Sequence, residues 1–211
     1  MIDAFKKLLD HASSILITTH KSPDGDAIGS AAAFSRFVSA YGKNNHVLLP
    51  DAPASNLMSF LDGISYSFFD DFDLQDSGYD LMICLDYNHP HRVGDKMMSL
   101  VLELNAPKIM IDHHPNPTEF CDLTISRPEV CSTAQLLYEV LQECQLHTYL
   151  TKEACEALYL GIMTDTGSFR FPSVTAKTHD VLKELLSKGV EAYTIHERVF
   201  DQNTKERVQL R

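Results

Sequence analysis

The 211-residue sequence has no tryptophan and no Cys-x-x-Cys pair, and it is short of positive charge: 18 Lys and Arg stand against 29 Asp and Glu, a formal net charge of −11. Each absence excludes something. A chain this acidic repels long nucleic acid, whose affinity comes largely from Lys and Arg replacing counterions. A basic channel lined with stacking aromatics is therefore not expected. The five cysteines, Cys84, Cys121, Cys131, Cys144 and Cys155, are odd in number and scattered. They suit reduced, packed thiols better than a disulfide framework or a structural zinc site. No apolar run approaches the ~20 residues that span a bilayer, and residues 1–14 lack the apolar core of a signal peptide. No membrane partner is expected, and the cytoplasm is the expected compartment. Internal repeats and low-complexity tracts are missing too, which removes solenoids and fibres.

What is present is an ordinary globular composition, 44% hydrophobic and 22% charged. Apolar runs too short for helices alternate with segments of helical period. This is the pattern of an α/β fold, a mostly parallel sheet flanked by helices on both faces. Strands are expected over 14–19, 45–49, 80–85 and 108–111, where the apolar stretches are continuous rather than alternating. Ala27, Ala31, Phe34, Val38 and Tyr41 mark one face of a helix that Gly42 closes. Ser132 and Gln135 have capping-box spacing ahead of Leu137, Tyr138 and Leu141. Further helices are expected over 151–163 and 175–188 and beyond Glu191. The acidic stretch 69–73 reads as a solvated loop, and 201–211 as a polar linker or outward helix.

In open parallel sheets, ligands gather at the carboxyl ends of the strands. Three of the four expected strands end in metal-ligand chemistry: His20 with Asp24 and Asp26, then Asp86, then Asp112-His113-His114. Asp165 follows the helix ending near Met163. Singly, each residue has an ordinary role as a turn former, helix starter or surface imidazole. Together they repel one another unless cations lie among them. Mixed oxygen and nitrogen donors suit Mn²⁺, Zn²⁺ or Fe²⁺ better than Ca²⁺.

At these positions the sequence resembles the DHH phosphoesterase superfamily, named for the triplet Asp112-His113-His114. Three further motifs support it in order: His20-Lys-Ser-Pro-Asp24-Gly-Asp26-Ala-Ile-Gly29-Ser30, Asp86 with Arg92-Val-Gly94, and Thr164-Asp165-Thr-Gly167-Ser-Phe-Arg170-Phe. Their form is most similar to the NrnA-type bifunctional oligoribonuclease and 3′-phosphoadenosine 5′-phosphate (PAP) phosphatase branch. The resemblance implies two divalent ions, Mn²⁺ foremost with Mg²⁺, Fe²⁺ or Zn²⁺ as alternatives. His20, Asp24 and Asp86 would hold one ion; Asp26, His113 and Asp165 would hold the second with Asp86 as bridge. His114 would face the scissile phosphate and Asp112 would orient an imidazole or a water. Ser30 and the backbone N–H groups at the start of the Asp26 helix would receive a phosphate oxygen, and Arg92 and Arg170 are the nearest candidates for the family's helper cations. Phe169 and Phe171, alternating as on a strand, would divide between base stacking and core packing.

The implied substrates are short oligonucleotides or PAP. Members of the branch usually carry a Gly-rich, His-containing motif in a second domain, whereas the last glycine here is Gly189. The expected organisation is a catalytic domain over 1–190 and a helix or linker over 191–211 toward a substrate-binding, DHHA1-type domain. A homodimer is compatible with this class. Three other readings stay open: a family II-like pyrophosphatase, which wants a basic cluster absent here; a RecJ-like exonuclease, which the charge disfavours; and a non-catalytic metal- and nucleotide-binding regulator.

Overall fold

The computed structural model of the chain describes residues 1–72 and 78–201. Asp73 and residues 202–211, which belong to the expected acidic loop and linker, lie outside the described residues. Along the chain the elements are α1 (Ile2–His11), β1 (Ser14–Thr18), α2 (Gly25–Ala40), β2 (Asn44–Leu49), β3 (Tyr66–Phe68), β4 (Leu81–Leu85), α3 (Asp95–Glu103), β5 (Lys108–Asp112), β6 (Leu123–Ser126), α4 (Thr133–Glu143), α5 (Lys152–Asp165), α6 (Ala176–Ser187) and α7 (Ala192–His196).

Successive strand residues point to opposite faces, and here both faces are covered. Ile15, Ile17, Val47, Leu49, Ile83 and Ile109 enter a large core shared with α1, α2 and α4 to α7. Leu16, Leu48, Met82, Cys84 and Met110 enter a smaller one capped by Met97 and Val101 of α3. Burial on both sides is why the strand sequences read as unbroken apolar runs. The six strands are all parallel, in the order β3-β2-β1-β4-β5-β6. The chain winds outward from β1 through β2 and β3, returns to β1's other side at β4, and continues through β5 and β6. That reversal opens a crevice at the carboxyl ends of β1 and β4.

Helices α2 and α5 cross so closely that a Cβ on Gly29 would lie 2.5 Å from the Ala157 carbonyl oxygen, and one on Gly161 would lie 2.7 Å from Asp26 Oδ1. The crossing seats the first turn of α2 against the end of α5. One expectation fails. Residues 167–171 are not extended: Gly167, Ser168 and Phe169 have φ of 56°, 59° and 65°, successive left-handed residues that fold the chain into a tight turn. Phe169 then packs on Tyr159, 5.5 Å between ring centres, while Phe171 is exposed.

Candidate functional site

His20 follows β1 with its ring almost wholly buried. Its Nδ1–H donates to the Lys21 carbonyl at 2.8 Å, a bond that leaves Nε2 as the open nitrogen. Nε2 lies 3.8 Å from Asp24 Oδ1 and 3.4 Å from Asp86 Oδ2, yet makes no hydrogen bond. Asp24 is the N-cap of α2, and its Oδ1 accepts from the N–H groups of Asp26 and Ala27 at 3.0 and 3.1 Å. Asp26, one turn into the crevice, is buried. Its two oxygens accept the N–H groups of Thr133 and Ala134 at 2.7 and 2.9 Å, so the first turn of α4 holds it.

Asp86 leaves β4 with φ of 65°, in the left-handed region that Asp tolerates better than most residues. This turn points its carboxylate back over the sheet edge, where Oδ1 accepts the Thr133 hydroxyl at 2.7 Å. Asp112 ends β5 fully buried; it accepts both the backbone N–H and the Nδ1–H of His114, at 3.0 and 2.7 Å. His114 thus turns Nε2 outward. His113 donates from Nδ1 to the Val130 carbonyl at 3.3 Å, and its Nε2 stands 3.9, 3.8 and 3.4 Å from Asp26, Asp86 and Asp165.

All six residues expected as ligands therefore converge. Among the described residues, His20, Asp24 and Asp86 can offer three donor atoms within 4.8 Å of one another, as can Asp26, His113 and Asp165, and as can Asp86, His113 and His114. Asp86 belongs to two of these groups, and His113 to two. The electrostatics call for a cation. Burial, Asp86 and Asp165 push the Asp26 carboxyl well above its ordinary range. Burial, Asp86 and Asp24 raise Asp165 against the pull of His113. Burial opposes a charge on His20, but Asp24 and Asp86 overcome it and drive the imidazole up to about 10. The same His20, with two backbone N–H groups, overcomes burial at Asp24 and holds it at about 2. A buried imidazole nitrogen with no partner, aimed between carboxylates, is the donor set that a divalent metal fits.

The expected substrate contacts fare differently. Ser30 is fully buried, with its hydroxyl 3.5 Å from Asp26 Oδ1. It has no surface to offer a phosphate, because it lies one turn below Asp26 on the buried side of α2. Arg92 is exposed and sits close enough to His114 to oppose its protonation, although the bond to Asp112 dominates and raises that imidazole. Arg170 is exposed and spends Nε on the Gly167 carbonyl at 2.6 Å. Thr133 has no place among the residues expected from sequence. It binds both Asp26 and Asp86, and a signal for it exists: Ser132 is the N-cap of α4, which places the next N–H groups free at the crevice.

Residues 14–162 match the family model described as DHH family, N-terminal domain. Over 185 residues the chain is 32% identical to the bifunctional oligoribonuclease and PAP phosphatase NrnA of Thermus thermophilus, an alignment covering 88% of this chain and 53% of that protein. Over 190 residues it is 28% identical to NrnA of Bacillus subtilis, covering 89% and 57%. The crystal structure of an exopolyphosphatase-related protein from Bacteroides fragilis superposes with a TM-score of 0.94 at 34% identity, over 99% of this chain and 62% of that one. The chain spans a little over half the length of these curated relatives.

Proposed function

Because the chain belongs to the DHH family, we propose that it is a metal-dependent phosphoesterase that hydrolyses short oligonucleotides or a nucleoside bisphosphate such as PAP. One observation carries the reading: the buried, unpartnered His20 Nε2 facing Asp24 and Asp86, in a cluster where Asp86 and His113 each serve two ligand groups. His20, Asp24 and Asp86 would hold one divalent ion, and Asp26, His113 and Asp165 the other with Asp86 shared. Bound there, such ions polarise phosphoryl oxygens and make hydroxide available near neutral pH.

The remaining chemistry belongs to the chain. Asp112 fixes the His114 tautomer, so that Nε2 faces outward toward a phosphoryl oxygen that gains charge. Thr133 and the α4 N-terminus keep Asp86 and Asp26 aimed without rearrangement. Arg92 supplies a fixed positive charge beside His114, suited to a second phosphate oxygen. A net charge of −11 favours small anions drawn to the metal centre over long strands. The names of the curated relatives support the same substrates.

The test uses full-length protein stripped of metal and reloaded with Mn²⁺, assayed on an adenine dinucleotide, PAP and pyrophosphate. Metal-dependent release of mononucleotide from the dinucleotide, or of phosphate from PAP, is expected. A folded, Mn²⁺-loaded protein that leaves both intact, or that prefers pyrophosphate, overturns the assignment.

A further inference from the structure

The loop leaving Asp86 carries an exposed feature that the metal centre does not use. His89 and His91 stack, ring centres 4.6 Å apart and planes within 13°. The His91 backbone N–H donates to His89 Nδ1 at 3.2 Å, so that nitrogen is occupied as an acceptor and the His89 ring is oriented for stacking rather than for chelation. His91 is exposed, and among the described residues its ring has no second aromatic neighbour and no side-chain hydrogen bond.

The loop is held from both sides by the segments that bear the ligands. The Lys21 N–H, next to His20, donates to the Arg92 carbonyl at 2.7 Å. From the segment after His114, the Thr118 N–H and hydroxyl both donate to the Asn88 carbonyl, at 2.9 and 3.0 Å. Asn88 Nδ2 donates back to the Pro115 carbonyl at 2.7 Å. Three residues of chain reach at most ~10 Å, so His89 cannot stand far from Asp86, and Arg92 is within electrostatic range of His114. An aromatic face beside a cation, on a loop whose backbone is tied to the segments of the metal centre, is what a nucleotide needs for its base and its phosphate. Two other aromatics of the neighbourhood are committed, since Phe169 packs on Tyr159 and Phe120 stacks on Tyr87 at 5.9 Å, while the exposed Phe171 lies on the turn after Asp165 and belongs to a different loop.

We propose that the stacked His89–His91 pair is the base-recognition platform of the site: a nucleobase of the substrate stacks on the free face of His91 while Arg92 holds a phosphate of the same nucleotide. The assignment rests on the phosphoesterase reading for its substrate but not for its binding. It makes the chain selective for nucleotides over base-free phosphoesters through its own loop.

Two measurements test it. The first is the ratio of kcat/KM for an adenine dinucleotide to that for the same dinucleotide with the adenines removed. One stacked base is worth roughly five- to a hundredfold in affinity. His91→Ala is expected to lower the ratio about tenfold through KM, and His91→Phe, which keeps a ring, to restore most of it. Equal ratios in wild type and His91→Ala overturn the proposal. The second, at constant pH, tracks the His91 ring Cε1–H resonance as AMP or ribose 5-phosphate is added to the protein. AMP is expected to move the resonance upfield and the sugar phosphate to leave it nearly still. A resonance indifferent to AMP, or one moved equally by both, overturns it. A shift with AMP in a protein that hydrolyses no phosphoester would defeat the enzymatic reading and leave the platform standing. Turnover with a silent His91 would do the reverse.

Discussion

At Asp86 a left-handed backbone, a bond from Thr133 and three imidazoles meet on one buried carboxylate. Asn at this position keeps the shape and the Thr133 bond but loses the charge that two ligand groups share. Asp86→Asn is therefore expected to weaken Mn²⁺ binding by more than 100-fold, beyond the 10–100-fold typical of residues that only support ligands. Calorimetric titration checks this, and unchanged affinity would remove Asp86 from the centre. Thr133→Val, which takes away the hydroxyl alone, belongs in the supporting range.

His20 and Asp26 are both raised in the folded protein, so each contributes stability below its unfolded value that is lost as pH climbs through the folded one. For His20 the window runs from its ordinary 6.5 to about 10. Asp24, depressed to about 2, acts at the other end, where stability goes as pH falls from its ordinary 3.8 toward 2. The melting temperature of chelator-treated protein should thus fall between pH 6.5 and 10, more steeply than in His20→Gln, while the stabilisation by added Mn²⁺ grows over the same range. Parallel melting profiles for wild type and variant would contradict the shift.

Among the elements, the α2–α5 crossing decides whether Asp26 and Asp165 can meet. A Cβ at Gly161 would press on Ala134 Cβ at 2.5 Å and on Asp26 Oδ1 at 2.7 Å, and neither neighbour is a flexible side-chain tip. Gly161→Ala should cost about 1–3 kcal/mol as an overpacked contact. That lowers the melting temperature by roughly 2–10 °C for a chain of this size. Because the strain falls on Asp26, a proposed ligand, Mn²⁺ affinity should drop with it; a stable variant with intact affinity would show that the crossing has slack. The elements themselves were unevenly legible. The four central strands and helices α2 and α4 to α6 announced themselves by period and caps, since their burial writes a strong apolar pattern. The edge strands β3 and β6 did not: at three and four residues and only partly buried, they carry almost no pattern. The turn at 167–169 read as extended because left-handed residues other than glycine leave no signature in sequence.

For the whole molecule, the −11 charge bears on the proposed preference for short substrates. Affinity for an oligonucleotide of about 20 residues should exceed that for a dinucleotide by little, with a shallow dependence on salt, because few phosphates can be neutralised. Steep salt dependence with much tighter binding of the long strand would point to an exonuclease channel instead. The sequence by itself determined the fold class, the set of candidate ligands and their placement after strands, because buried parallel strands must be apolar and the residues at their carboxyl ends must face the crevice. Tertiary structure alone decided which donors share a space. Strand order set β4 between β1 and β5, the glycine crossing brought α5 to α2, and the start of α4 supplied the N–H groups that hold Asp26. It also took Ser30 out of reach, because that outcome depends on packing between α2 and segments far apart in the chain, which local pattern does not encode.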